Sequence, residues 1–348
     1  DLIDMVQTKG RDYNRQIVQM KYGAKLQAFK NELNEFAPAK TSSTEVGLLR
    51  DTLEKIATFA QRPTTPRWSQ MATSGGYAWT MGANLSSAAI TTFDVFMSTA
   101  PRLMGKYGDV AALKAMGTAS AILFKSPKTK MVKAMGPDGK MTNREVNTGI
   151  AGFSMSNYDF DDPKISSELK DIGILSEVAT ENAQINQTLN TEQLEMGNKE
   201  DALEKINAVN SFLFHHAERY NREVALIATY TLELQRMRDK KGSALSLEEK
   251  KAAAEFAVSE AELALGATAS AGRPVFAQGG MGNVAMLFKR FAISKYYMMA
   301  RMTNEAFQGG SDAETKENRR IAQHQLGRFL VSTGLFAGVA GMPLMGAL

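Results

Sequence analysis

The chain has 348 residues, with 41 Lys and Arg against 37 Asp and Glu for a net charge of +4, and 44% hydrophobic content, enough for a real core. There is no cysteine, which excludes disulfides, thiolate zinc sites and cysteine nucleophiles together. The length suits two or three ordinary domains or one elongated helical one, and the missing thiols fit either a cytosolic origin or passage through an oxidising compartment in an unfolded state.

The pattern is helical from the start. Leu26, Phe29, Leu33 and Phe36, and then Val46, Leu49, Leu53 and Ile56, recur at three- and four-residue spacing and predict two helices with narrow apolar stripes. Pro38 separates them, and Pro63 and Pro66 end the second. Residues 68–124 are rich in Ala, Ser, Thr, Met and Gly, and Asp94 stands alone between Arg67 and Arg102. Small residues let helices approach closely, in a protein core or in a bilayer, and a lone carboxylate costs less in the core.

Residues 125–162 read as the least regular part, with Pro137-Asp138-Gly139 as a turn and Asn157-Tyr158-Asp159 as a loop. The stretch 125–144 is basic, carrying Lys125, Lys128, Lys130, Lys133, Lys140 and Arg144 against Asp138. Such a patch favours phosphates, whether of nucleic acid or of lipid headgroups. Residues 182–201 are polar and read as a helix rim or a connection.

A long helix is expected over about 201–239. Leu213, Ala217, Tyr220, Val224, Ile227, Thr231 and Leu234 follow alternating four- and three-residue steps, a heptad seam for a partner helix within the chain or in another copy. Gly242 ends it. The next helix, 246–265, opens with Ser246 and Glu249 in a capping box. Within 283–307, Val284, Phe288, Phe291, Met298, Met302 and Phe307 share an apolar face, with Lys289, Arg290, Lys295, Tyr296, Tyr297 and Arg301 at its edges or opposite. This helix suits a core, a membrane surface or nucleic acid. Residues 329–348 carry no charge; a helix of that length would span ~30 Å, the thickness of a bilayer core. Gly334 and Gly338, with Phe336 between them, form a small-xxx-small pattern, and Pro343 interrupts the run. The glycines and Pro343 point to a conditional segment rather than a permanent span. The chain begins inside a helical pattern and stops inside this apolar run, so it reads as a piece, or the ordered part, of a longer polypeptide.

The expected fold is all-α, an elongated multi-helix assembly with little or no sheet, in consecutive segments 1–66, 67–200 and 201–348. No chemistry-bearing constellation is specific. His215-His216 with Glu218 and Glu223 has neither the HExxH nor the Glu-x-x-His spacing of metal sites, and Glu218–Arg222 is an ordinary i,i+4 pair. The glycines at 279, 280 and 282 could present backbone N–H groups to a phosphate but lack the Lys-Ser/Thr of a nucleotide loop. Glu248, Glu249, Glu255, Glu260 and Glu262 read as a solvated face. No catalytic residue, cofactor or metal is expected.

Four segments in order carry a resemblance. They are Asn84-Leu85-Ser86-Ser87-Ala88 after Ala78-Trp79; His215 through Glu223; Gly272-Arg273-Pro274-Val275-Phe276 running into Gly282-Asn283 and Leu287-Phe288-Lys289-Arg290-Phe291; and Thr333 through Leu344. Their order and spacing resemble the C-terminal region of large internal virion proteins of short-tailed bacteriophages, with related segments in giant polyvalent proteins of phages and mobile elements. The likeness covers roughly residues 79–348. It implies a non-enzymatic core protein in the virion interior above the portal, ejected at infection into the host cell envelope to help form a conduit for the genome. The implied partners are other copies of the chain, other core proteins and the portal, packaged double-stranded DNA, and the host inner membrane after ejection. Leu213, Tyr220, Val224, Ile227 and Leu234 are then candidates for an oligomer seam. Lys289, Arg290, Lys295, Tyr296, Tyr297, Arg301, Gly334, Phe336 and Gly338 are candidates for membrane or DNA contact. Some members carry a peptidoglycan-cleaving domain elsewhere in the chain. A murein-degrading fragment using Glu218 or Glu223 as acid, or a helical nucleic-acid-binding protein, are the alternatives.

Overall fold

The computed structural model describes residues 93–135, 141–147, 154–190, 202–265, 289–310 and 312–337, together with helical residues at 28, 31–32, 35, 51–55, 68–69, 72 and 281. The fold class is all-α. A π-helical turn, Val95–Thr99, leads into α1 (Ala100–Tyr107) and α2 (Asp109–Phe124). A β-hairpin, β1 (Thr129–Met135) and β2 (Met141–Asn147), and a 3-10 turn at Met155–Asn157 precede α3 (Ser167–Asn190). The long helices α4 (Ala202–Lys241), α5 (Leu247–Leu265), α6 (Lys289–Phe307) and α7 (Ala313–Ala337) complete the chain.

The boundaries follow local chemistry. Gly108 sits at φ +89 between α1 and α2, where its N–H donates to the Met104 carbonyl at 3.0 Å. Gly242, at φ +67, closes α4 by donating to the Arg238 carbonyl at 2.8 Å. The last turn of α4 carries Arg238, Lys240 and Lys241 against its negative end. The expected capping box opens α5: the Ser246 N–H donates to a Glu249 carboxylate oxygen at 2.7 Å, and the Glu249 N–H donates to Ser246 Oγ at 3.2 Å.

The π-helical turn has an identifiable cause. Pro101 lacks an N–H, so the Met97 carbonyl four residues earlier loses its helical donor. The hydroxyl of Ser332 in α7 supplies one at 3.2 Å. Just before it the Ala100 N–H reaches back to Val95, the five-residue step of a π-helix.

The chain divides into two compact units made of non-consecutive stretches. One comprises Asp1–Gly82, Thr180–Asn210 and Ala267–Arg290; the other comprises Ala83–Ala179, Ser211–Gly266 and Phe291–Leu348. What is described of the first is helical. Its expected stripes at Leu26, Phe29, Leu33, Phe36, Val46 and Leu49, and the glycines at 279, 280 and 282, lie outside the described residues.

The core of the second unit is built around α4. Residues 223–230 of this helix are buried without a break, including Val224, Ala225, Leu226, Ile227, Ala228 and Tyr230. A helix covered on every side sits at the centre of its neighbours. α2 contributes Ala112, Ala115, Met116, Ala119 and Leu123, and α5 contributes Ala253, Ala254, Ala257, Val258, Ala261 and Ala264, each set at helical spacing on one face. Alanine faces let helix axes close up, and each large side chain buried between them is stabilised by about 1.5–3 kcal/mol relative to exposure. Gly105 shows how close that approach is. A Cβ there would stand 2.4 Å from Gln325 Cγ and 2.9 Å from the Gln325 backbone nitrogen, so α1 and α7 meet nearly backbone to backbone. A second, smaller cluster joins Met298 and Met302 of α6 to Phe329 of α7.

Two expectations are corrected here. The seam positions do not form a surface for another copy: Val224 and Ile227 are 1% exposed, Leu234 is buried, and Tyr220 packs against the core while its hydroxyl donates to Ser120 Oγ at 2.9 Å. The seam stripe runs along a helix that is apolar on every side over residues 224–228, and the chain's own helices cover it. Leu213 lies on α4, with its side chain outside the described residues. The stretch read as irregular holds a regular antiparallel hairpin, pairing Thr129 with Asn147 through Met135 with Met141. The turn signal Pro137-Asp138-Gly139 falls in the connection, outside the described residues.

Candidate functional site

The lone carboxylate of the small-residue region and one lysine of the basic helix meet inside the second unit. Asp94, at the start of the π-helical turn, and Lys295, on α6, are both buried, and Lys295 Nζ stands 2.9 Å from Asp94 Oδ1. Ser98 Oγ, one turn after Asp94, donates to the same oxygen at 2.7 Å. Lys295 also donates to Ser98 Oγ and, at 2.9 Å, to the Ala264 carbonyl in the last turn of α5. The ammonium therefore neutralises Asp94 and caps the negative end of α5 at once. Desolvation lowers the Lys295 pKa below its ordinary value, opposed by Asp94. Lys295 is thus corrected as a candidate contact for membrane or DNA: it is 8% exposed, because Asp94 would otherwise be a bare charge in the core.

The outer face of α6 carries the rest of that candidate set. Tyr296, Tyr297, Ala300, Arg301, Asn304 and Phe307 are exposed at helical spacing, with Tyr297 at 68%, while Met298, Met302 and Ala306 turn inward. Arg301 lies at this surface and donates to Glu305 one turn on at 2.7 Å. Lys289 and Arg290 stand in the first turn of α6, their side chains outside the described residues. On α7, Phe329 and Thr333 face inward, whereas Val331 and Leu335 are exposed and Gly334 is half-buried. Phe336 lies on α7 with its side chain outside the described residues, and Gly338 lies beyond them. The first nine residues of the uncharged run are therefore the end of a 25-residue helix whose earlier turns are charged. Among the described residues no helix is long and apolar enough to cross a membrane.

The acid–histidine cluster resolves into framework contacts. Arg222 donates to Glu218 at 3.0 Å, the expected i,i+4 pair. Glu223 is buried and accepts from Ser154 Oγ at 2.7 Å, the Met155 N–H at 3.1 Å and Arg219 Nε at 3.2 Å, fastening the 3-10 turn to α4. Burial raises the Glu223 pKa above the ordinary glutamate value, against the lowering influence of those donors. Among the described residues no group of His, Asp and Glu is placed to hold a metal ion.

Two further ionic contacts were not legible beforehand. Arg102 of α1 donates twice, at 3.1 and 2.7 Å, to one oxygen of Glu260 on α5, so Glu260 is not part of a solvated face. Lys106 lies 3.7 Å from the centre of the Phe256 ring and 3.9 Å from Glu233, which also accepts from Tyr107 at 2.6 Å and from Arg236. Burial pushes Glu233 up, but those donors outweigh it and hold its pKa below the ordinary value. Nothing in the one-dimensional pattern pairs residues more than a hundred positions apart; the signal was only that Asp94, Arg102 and Glu260 are charges in Ala-rich surroundings.

What the fold defines is an all-α protein whose helices are cross-linked by buried charges and whose last two helices present aromatic and aliphatic side chains to solvent. No known family model, curated protein sequence or solved structure matches the chain.

Proposed function

We propose that this chain is a structural component of a bacteriophage internal core, ejected at infection and engaging the host envelope as part of the genome's route. The ordered sequence resemblance motivates the reading. The observation that carries its membrane half is the outward face of α6, where Tyr296, Tyr297 and Phe307 are exposed beside Arg301. Aromatics with a basic residue on one helical face suit the headgroup boundary, where rings sit among acyl chains and cations meet phosphates. Engagement of this kind is in-plane.

Flotation of the full chain with vesicles of mixed zwitterionic and anionic phospholipid tests this, comparing it with a Tyr296→Ser/Tyr297→Ser/Phe307→Ser variant. The unaltered protein is expected to float and the variant to stay in the lipid-free fraction. Recovery of both proteins in the lipid-free fraction, or equal flotation of both, overturns the assignment.

The murein-cleaving alternative finds no support in these contacts. Glu223 would have to reach a polymer from a buried position already tied to Ser154, Met155 and Arg219, and Glu218, the other candidate acid, is held by Arg222 at 3.0 Å.

A further inference from the structure

The hairpin concentrates the chain's charge. Residues 125–147 hold six of the 41 Lys and Arg and two of the 37 Asp and Glu, leaving 35 of each elsewhere. The entire net charge of +4 thus resides in the hairpin and its approach. Residues 286–302 carry the same excess of four basic residues, but there Lys295 is paired with Asp94 and Arg301 with Glu305.

The strand register arranges that charge. Thr129 pairs with Asn147 and Met135 with Met141, so alternate residues share a face. One face carries Lys130, Val132 and Ala134 on β1 with Thr142, Arg144 and Val146 on β2, and has no acid. Glu145 belongs to the other face, with Lys133. Lys125 and Lys128, in the approach to β1, are exposed. Each strand has seven residues, about 23 Å at a rise of ~3.3 Å per residue. Among the described residues the sheet has two strands, so both outer edges lack a third.

We infer that this hairpin is a β-ribbon that binds double-stranded DNA, with Lys130 and Arg144 on its acid-free face and Lys128 and Lys133 at its flanks meeting four phosphates. The inference relies on the proposed function only for the claim that this DNA is the genome in transit; the binding itself stands separately. The major groove of B-form DNA, ~12 Å wide, admits a two-stranded ribbon, while the deep and narrow major groove of duplex RNA does not. Lipid is the poorer fit. Residues 125–147 contain no Phe, Trp, Tyr, Leu or Ile, the groups that anchor a basic segment at a bilayer. They offer Thr and Asn instead, the short polar partners that accompany Lys and Arg on phosphates. Phe124, exposed just before Lys125, sets its ring 5.9 Å from that of Tyr220 on α4, and the exposed rings of Tyr296, Tyr297 and Phe307 lie on α6.

Binding of a fluorescent duplex by the full chain, titrated at several salt concentrations, tests the inference. Four phosphate contacts give a log–log salt slope of about −3.6 and an affinity loss of roughly 150-fold between 50 and 200 mM salt. The Lys130→Gln/Lys133→Gln/Arg144→Gln variant should lose most of its affinity and flatten the slope by about 2.7, with its circular dichroism unchanged. Hydrogen exchange on the unaltered protein gives a second measure that needs no variant: amides at 129–135 and 141–147 should gain protection when duplex is added. A variant that binds as tightly and with the same slope, or protection confined to other elements, overturns the assignment. So does capture of the hairpin by anionic vesicles with no binding to duplex. Loss of flotation with retained duplex binding refutes the membrane reading and leaves this one intact, and the converse refutes this one alone.

Discussion

Replacing Lys295 with methionine keeps the side chain's length and apolar stem but leaves Asp94 as a buried charge with Ser98 as its remaining donor among the described residues. Removing one partner of a buried ion pair costs about 3–5 kcal/mol, because the other charge stays desolvated and uncompensated. The companion Asp94→Asn/Lys295→Met removes both charges and keeps an acceptor for Ser98 Oγ. Its main loss is the donor to the Ala264 carbonyl, so it should cost only about 1–2 kcal/mol. Arg301→Met on the same helix breaks an exposed i,i+4 pair with Glu305 and should cost about 0.3–0.5 kcal/mol. Urea unfolding followed by circular dichroism reads these differences. With a slope of about 2–3 kcal/mol per molar urea, Lys295→Met moves the midpoint down by roughly 1–2 M and Arg301→Met by roughly 0.2 M. Amide exchange within α6 adds a local measure, since it reports the opening of that segment. If Lys295→Met is no more harmful than the double variant, or no more than Arg301→Met, then the ammonium is not what compensates Asp94 and the account of this core is wrong.

Other perturbations separate backbone contact from open space and desolvation from hydrogen bonding. Gly105→Ala forces a Cβ onto the α7 backbone at Gln325 and should destabilise by about 1–3 kcal/mol, whereas Gly117→Ala, on α2 with nothing within 4 Å, should stabilise by about 0.5–1 kcal/mol. Thermal melts of the two variants that shift the same way would count against the α1–α7 contact. For Glu223, burial raises the folded-state pKa above the ordinary value of 4.5, so the folded protein holds a proton that the unfolded chain has released. Stability from this group is full below that value and declines as pH rises through the raised one. Unfolding free energies measured from pH 4 to 7 should therefore fall relative to those of Glu223→Gln as pH rises; parallel curves, or the opposite trend, would show that the donors from Ser154, Met155 and Arg219 outweigh burial.

Much of the helical framework was readable because helix signals are local. The capping box at Ser246 and Glu249, the terminator at Gly242, the extent of α4 and the Glu218–Arg222 pair depend on residues a turn apart, and each stands where sequence placed it. Direction along an element was less readable. The heptad at Tyr220, Val224, Ile227 and Leu234 identified an apolar stripe but left open whether a helix of the same chain or of another copy covers it, and the chain's own helices do, over Ala225, Leu226 and Ala228 as well. The hairpin was missed because its strands mix Lys, Thr, Asn and Met, so neither branched residues nor strict alternation announced it.

Tyr296 and Tyr297 stand at the surface while Lys295, their neighbour in sequence, is taken inward. Counting charges along a helix could not show this, because each looked equally suited to solvent. The decision came from Asp94, some two hundred positions earlier, whose desolvation requires a cation nearby. The sequence by itself determined the helices, their caps and the place where net charge accumulates, all set by spacing of at most a few turns. Only the tertiary structure decided which charges are taken inside the protein and which stay at its surface, because desolvation depends on everything packed around a group and not on its neighbours in the chain.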